Sequence, residues 1–231
     1  MKILTILQAR MTSSRLPGKV LRPILGEPMI GRQIERLGRS RSLGQLVVAT
    51  STDPTDQAIV GYCGRLQCPS FRGPLHDVLG RYAETLKAFG PADHVVRLTA
   101  DCPLADWTVI DACIALHLAS GADYTSNTVE RTFPKGLDVE VFRAELLPKI
   151  ASEASDLYDR EHVTPYFYRN PEKFRIEQLV QAVDYEDLRW TVDTPEDFVF
   201  TTRVYESLYP HKPDFTSDDI FDLDWTDPRR P

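Results

Sequence analysis

The sequence predicts an α/β fold, a largely parallel sheet covered by helices on both faces, on three observations. Apolar strand-like runs alternate with helical patterns through the first half. The second half changes rhythm: in LDVEVF (137–142), Leu137, Val139 and Val141 alternate with Asp138 and Glu140, which predicts a strand with one polar face in a small antiparallel extension. The chain has 231 residues, 42% of them hydrophobic, enough for one large core.

The elements follow in order. KILTIL (2–7) is the first strand and PMIGRQIERL (28–37) the first helix. LVVATST (46–52) is a strand, and the helix after it has Asp53 as its cap, Pro54 in its first turn and Ile59, Tyr62, Cys63 and Leu66 on one buried stripe. PSFRG (69–73) is a short strand; DVLGRYAETLKAFG (77–90) puts Leu79, Tyr82, Leu86 and Phe89 on one helical face before Gly90 stops it. HVVRLTA (94–100) is a buried strand that delivers Asp101, and the WTVIDACIALHLASG helix leads into DYTSN and LDVEVF. FRIEQLVQ (174–181) and LRWTVD (188–193) read as strands, and DREHVTPYFYRNP (159–171) as a helical stretch interrupted at Pro165. TPEDFVFTTRVYESLY (194–209) closes the globule as a helix with Thr194, Pro195 and Asp197 in capping positions. No repeat or linker divides the chain, so residues 1–209 are expected to form one domain, with 210–231 a polar tail packed on it or trailing from it.

The formal net charge of -7 opposes a nucleic-acid polymer as partner, which calls for a broad basic face, but leaves room for a small anionic ligand held by a local cluster. The longest apolar runs fall short of a membrane span, and the N-terminal run is too short for a secretory signal, so the expected location is the cytoplasm. Cys63, Cys68, Cys102 and Cys113 form no CxxC pair and lack a His in zinc-ligand spacing, so they read as reduced and mostly buried.

Three constellations carry chemistry. The loop QARMTSSRLPGK (8–19) gathers Arg10, Arg15 and Lys19 with Ser13, Ser14 and Gly18 directly after the first strand, where open α/β sheets receive phosphates. Asp101 ends a strand in LTADCPLAD, and Asp193 ends another in WTVDTPEDF; two such carboxylates beside three cations suit a metal-triphosphate site. The plainer readings are a solvated surface turn for the loop and helix capping for either aspartate. Further candidates are His162, Tyr166, Tyr168 and Arg160 in REHVTPYFY, and Arg131 and Lys135 beside Asp138 and Glu140, which would meet a polyol or an acidic sugar. The DLD phrase at 222–224 resembles the DxD of metal-dependent glycosyltransferases but lies in the polar tail.

QARMTSSRLPGK is similar to the opening motif of the CMP-sugar-acid synthetases, the cytidylyltransferases that make CMP-Kdo and CMP-sialic acid. LTADCPL, SNTVERTFPKGLDVEVF, REHVTPYFYRNP and LRWTVDTPED resemble the subgroup typified by spore-coat polysaccharide biosynthesis protein F, and the likeness runs from residue 2 to about 209. The resemblance implies a three-layer α/β/α sandwich of the nucleotide-diphospho-sugar transferase type, with a mixed, mostly parallel sheet. It also implies a homodimer and the use of CTP with Mg²⁺ to activate an acidic sugar, a nonulosonic acid or similar, for surface polysaccharide or glycan synthesis. Arg10, Ser14, Arg15 and Lys19 would then hold the triphosphate and Ala9 back the base, with Arg72 and Asp77 near the nucleotide. Asp101 and Asp193 match the metal-ligating positions, and Arg15, Lys19 and Asp101 are the expected catalytic residues. Arg131, Asp138, Glu140, His162 and Tyr166 would line the acceptor pocket. The chain departs from the Kdo enzymes at Gln8, where they carry Pro, and at TADCP, where they carry Gln-Gly-Asp-Glu-Pro. The rival expectations are a glycosyltransferase of the same fold and a non-catalytic nucleotide-binding protein.

Overall fold

The structure is a computed structural model describing residues 1–223. Strand β1 (Ile3–Gln8) runs into a loop, a hairpin of β2 (Pro23–Ile24) and β3 (Glu27–Pro28), and helix α1 (Met29–Leu37). Then come β4 (Gln45–Ser51), α2 (Gln57–Arg65), β5 (Ser70–Gly73), α3 (Val78–Phe89), β6 (His94–Thr99) and α4 (Trp107–Ser120). The second half carries β7 (Tyr124–Ser126), β8 (Glu140–Arg143), α5 (Leu146–Glu153), α6 (Leu157–His162), α7 (Pro165–Arg169) and β9 (Ile176–Gln178). Helices α8 (Pro195–Leu208) and α9 (Ser217–Phe221) follow. Across the main sheet the order is β5-β4-β1-β6-β8-β7-β9. The first four strands are mutually parallel, β8 is antiparallel to both neighbours, and β9 is parallel to β7, so the sheet is mixed and mostly parallel as expected.

Side-chain alternation along β1 explains the three layers. Ile3 and Leu7 point into a core built with α1, α2, α4 and α8, while Leu4 and Ile6 point into a second core with α3, α5 and α7. Val48 and Val96 repeat the first direction, Val47 and Val95 the second. A strand buried on both faces must read as a continuous apolar run, and each such Leu or Ile contributes roughly 1.5–3 kcal/mol by leaving water. The carboxyl ends of β1 and β6 therefore open together on one rim, and the loops after them supply the site.

The structure departs from the sequence expectations in four places. In LDVEVF only Glu140–Arg143 joins the ladder; Asp138 and Glu140 share a polar face, but it fronts a cavity and not open solvent, and Glu140, 3% exposed, is paired with Arg97. LRWTVD is not a sheet strand. Its core side chains Trp190 and Val192 anchor it; Lys135 bridges it through two bonds, Lys135 N–H to the Leu188 carbonyl at 2.9 Å and Trp190 N–H to the Lys135 carbonyl at 2.6 Å, and Val192 N–H donates to the Asp101 carbonyl at 2.8 Å. Gly136 makes the first contact possible: at φ 116°, any Cβ would sit 2.7 Å from the Trp190 carbonyl carbon. Helix α2 ends at Arg65, leaving Leu66 off the buried stripe at 42% exposure.

The tail, lastly, is not merely polar. Phe215 and Ile220 are fully buried, the Arg36 guanidinium donates to the Phe215 carbonyl at 3.0 Å, and Ser217 N–H donates to Asp106 at 2.6 Å. Residues 224–231, with Asp224 of the DLD phrase, lie outside the described residues. Among the described residues no helix is long and apolar enough to cross a membrane.

Candidate active site

A cleft of about 340 Å³ opens on the rim between the loop after β1 and the turn after β6. Ala9, Arg10, Ser14, Arg15, Lys19, Asp101 and Asp193 line it together, along with Gln8, Arg81, Arg97 and His162. The loop is held from below. Met11 N–H donates to the fully buried Asp56 carboxylate at 2.7 Å, whose other oxygen accepts from Ser51 N–H and Oγ. Gly18 closes the loop: its φ of 70° lets its N–H reach the Met11 carbonyl at 2.9 Å and starts the turn that carries Lys19.

Asp193 reaches the cleft because its chain is tied to the Asp101 turn. Neither aspartate caps a helix: Asp106 caps α4, and Thr194 caps α8 in a capping box with Asp197. Instead Lys19 Nζ lies 2.9 Å from Asp193 Oδ1, 3.7 Å from Asp101 Oδ2 and 2.6 Å from the Val192 carbonyl. Asp193 Oδ2 is ion-paired with Arg15 at 3.0 Å and accepts from Arg189 at 2.7 Å. Burial alone would push the Asp193 carboxyl up, but Lys19, Arg15 and Arg189 outweigh it and hold it below the usual carboxylate range. Arg10, by contrast, is exposed and makes no hydrogen bond or ion pair among the described residues, which leaves a whole guanidinium for an anion.

A second cavity, about 450 Å³, adjoins the first and shares Arg97, Thr99 and His162 with it. Arg131, Asp138, Glu140, Thr128, Tyr158, Thr164 and Tyr168 form most of the rest of its wall. Its charges are already matched. Arg131 forks onto Asp138 at 2.6 and 3.1 Å. Glu140 is ion-paired to Arg97 and accepts from Tyr124 at 2.6 Å and from Thr164. Burial opposes charge on Arg97, yet Glu140 prevails and raises its pKa above the ordinary value.

Three expected residues lie elsewhere. Arg72 is spent on the Ser51 and Asp53 carbonyls and Gln57, tying β5 to the β4–α2 turn. Asp77 caps α3 through Gly80 N–H and pairs with Arg160. Tyr166 packs in the second core with its hydroxyl donating to Glu153 at 2.9 Å, and Tyr168, two residues on, stands on the cavity wall instead. Their motifs place them close in sequence to wall residues, but a helical turn sends neighbours to different faces.

Asp56, Arg81 and Arg97 carry the site without having drawn notice in the sequence. Asp56 has the same local setting as Asp53 in DPTD; the one signal for the arginines is a cation within a buried pattern, RY after α3's apolar start and R in HVVRLT. Cys102 is no thiolate nucleophile: burial pushes its thiol far above the usual range. As for a divalent ion, the donors are hard oxygens from two carboxylates and a carbonyl, the kind that hold Mg²⁺ alongside phosphate and water. Asp101, one-third exposed to the cleft, fits that role directly; Asp193 fits it once Lys19 moves.

Comparison with known proteins identifies the family. The family model described as cytidylyltransferase matches residues 4–212. The chain belongs to the cytidylyltransferase family. This cytidylyltransferase is 33% identical over 228 residues to the spore coat polysaccharide biosynthesis protein SpsF of Bacillus subtilis, covering 96% of this chain and 93% of the relative. A cytidylyltransferase structure from Leptospira borgpetersenii serovar Hardjo-bovis superposes with a TM-score of 0.90 at 33% identity, over 96% of this chain and 92% of the other. The structure of a CMP:2-keto-3-deoxy-manno-octonic acid synthetase complexed with CTP matches with a TM-score of 0.67 over 90% of this chain and 99% of its own, at 16% identity, a likeness of fold alone. The protein is thus a CTP-dependent nucleotidyltransferase of the three-layer α/β/α type.

Proposed function

We propose that this cytidylyltransferase transfers CMP from CTP to a hydroxyl of an acidic sugar, a nonulosonic acid or similar, and releases pyrophosphate, for surface polysaccharide or glycan synthesis. The observation that carries the reading is the meeting, in one cleft, of the Arg10–Lys19 loop with Asp101 and Asp193, opening onto a second polar cavity. The acceptor hydroxyl attacks the α-phosphorus in line and gives up its proton to water; the bond to the bridging oxygen breaks and pyrophosphate leaves with its electron pair. Such a transfer asks the protein for position and charge more than for covalent chemistry.

Each residue then has a task. Arg10 and Ser14, uncommitted in the cleft, take phosphate oxygens, while Arg15 and Lys19 exchange Asp193 for the charge that grows on the α-phosphate and the departing pyrophosphate. Ala9, whose N–H is tied to the Ala49 carbonyl at 3.1 Å, gives the base a small, fixed floor. Asp101 and Asp193 would hold the Mg²⁺ cofactor, which would supply Lewis acidity. In the second cavity Arg131, Asp138 and His162 contact the acceptor, and Glu140 positions Arg97.

The same reading includes a cytoplasmic homodimer, the dimer being checked by light scattering. The test of function is incubation with CTP, Mg²⁺ and a panel of acidic sugars, reading pyrophosphate. Acceptor-dependent pyrophosphate release is the expected result. Release of free nucleotide from a nucleotide sugar would instead make it a glycosyltransferase, and CTP binding without turnover on any acceptor a binding protein.

A further inference from the structure

The Lys19 ammonium sits where a cation would be expected to bind. Its side chain is 9% exposed, and Nζ has three oxygens from two separate segments around it: the Val192 carbonyl, Asp193 Oδ1 and Asp101 Oδ2. Two carboxylates that face each other across a partly buried rim repel, and the ammonium between them offsets that repulsion. Lys19 is also on the loop that lines the cleft, four residues from the exposed Arg15, on a flexible four-carbon stem that can redirect its charge.

We propose that Lys19 is a resident counter-ion: it occupies a divalent-cation position between Asp101 and Asp193 in the free protein and yields it only when an anionic phosphate chain draws the ammonium away. Resting on the cytidylyl-transfer reading of the same cleft, this makes entry of nucleotide and of metal one coupled event. Without phosphates, an incoming divalent ion meets a site whose inner oxygens are already bonded to a cation. With phosphates present, Lys19 gains a new partner, and the two carboxylates are free for the ion. The device guards the site against metal alone and against two unpaired carboxylates.

The test is Mn²⁺ binding to the full chain without nucleotide, read by electron paramagnetic resonance of the free ion. Lys19→Met, which keeps the stem and removes the charge, should bind Mn²⁺ about tenfold or more tightly than the natural chain, the scale of one unit charge at contact distance in a partly buried site. Adding Asp101→Asn to that variant should abolish the gain, and Lys19→Arg, which keeps the charge, should show none. Lys19→Gln, which retains a donor for Val192 and Asp193, serves if circular dichroism shows Lys19→Met unfolded. Equal Mn²⁺ affinity of the neutral variants and the natural chain would overturn the proposal, as would a gain in Lys19→Arg matching that in Lys19→Met. Calorimetry of CTP with Mg²⁺ on the natural chain separates the two readings: CTP binding with no metal gain in the variants removes the counter-ion role and leaves cytidylyl transfer standing, whereas no CTP binding with Mg²⁺ present removes the nucleotide assignment.

Discussion

The loop cleft and the cavity beside it share Arg97, Thr99 and His162, yet they hold their charges in opposite ways. In the cleft the ion pairs are exchangeable: Arg15 is 58% exposed while bonded to Asp193, Lys19 divides itself among three oxygens, and Arg10 has no partner among the described residues. In the cavity they are closed, with Glu140 4% exposed at its side chain and saturated by Arg97, Tyr124 and Thr164, and Arg131 forked onto Asp138. The difference teaches that charge meant for the phosphates stays available, whereas charge on the acceptor wall is held in fixed pairs. Counting charged residues on a wall therefore says little until their partners are known.

The largest effect tests the closed side. Glu140→Ala leaves the Arg97 guanidinium buried without its carboxylate and should cost about 3–5 kcal/mol of stability in urea unfolding. A loss under about 1 kcal/mol would erase the contrast between the two regions. Asp101→Asn tests the open side: it should leave the unfolding midpoint nearly unchanged but lower turnover by roughly two orders of magnitude, since the carboxylate serves the reaction and bonds little else. Wild-type turnover in that variant at saturating Mg²⁺ would remove Asp101 from the machinery.

What the sequence made legible follows the same division. The loop is local, so R-x4-R-x3-K after an apolar run could be read directly, and the parallel half of the sheet announced itself through strands such as KILTIL and HVVRLTA. Asp101 and Asp193 were legible as residues but not as neighbours in the form expected, because LRWTVD is an anchored single segment rather than a strand; Trp190 and Val192 are apolar for the core, not for a ladder. Period-two alternation puts Glu140 on a polar face with Asp138, and only pairing across 43 residues with Arg97 reveals that its charge is cancelled there. Asp56, Arg72 and Asp77 owe their places to contacts with segments that no local pattern relates.

The other end of β6 extends the comparison to charge that is avoided altogether. His94 Nδ1 lies 3.0 Å from His117 Nε2, and His117 Nδ1 lies 2.9 Å from Thr125 Oγ1. Burial first, then His94, lowers the His117 pKa to about 4. Because the folded value lies below the unfolded one, the unfolded chain binds the extra proton between about pH 6.5 and 4, and stability is lost as pH falls through that window. Unfolding free energy should drop by about 2 kcal/mol from pH 7 to pH 5 on this account, and His117→Gln should flatten that drop. An equally steep drop in the variant would place the acid sensitivity elsewhere.

The smallest effect separates two tyrosines. Tyr166→Phe removes the bond to Glu153, costs about 1 kcal/mol of stability and leaves the acceptor KM unchanged. Tyr168→Leu should raise the acceptor KM, because its ring stands on the cavity wall. The reverse outcome would move the acceptor surface to the other face of α7.

The most direct measurement is a crystal structure with CTP and Mg²⁺ bound. The triphosphate should lie along residues 10–19 with Arg10 and Lys19 on its oxygens, Asp101 and Asp193 facing the metal, and the α-phosphorus open toward the second cavity. A nucleotide bound away from that loop, or a triphosphate whose α-phosphorus is walled off from Arg131 and Asp138, would contradict the account.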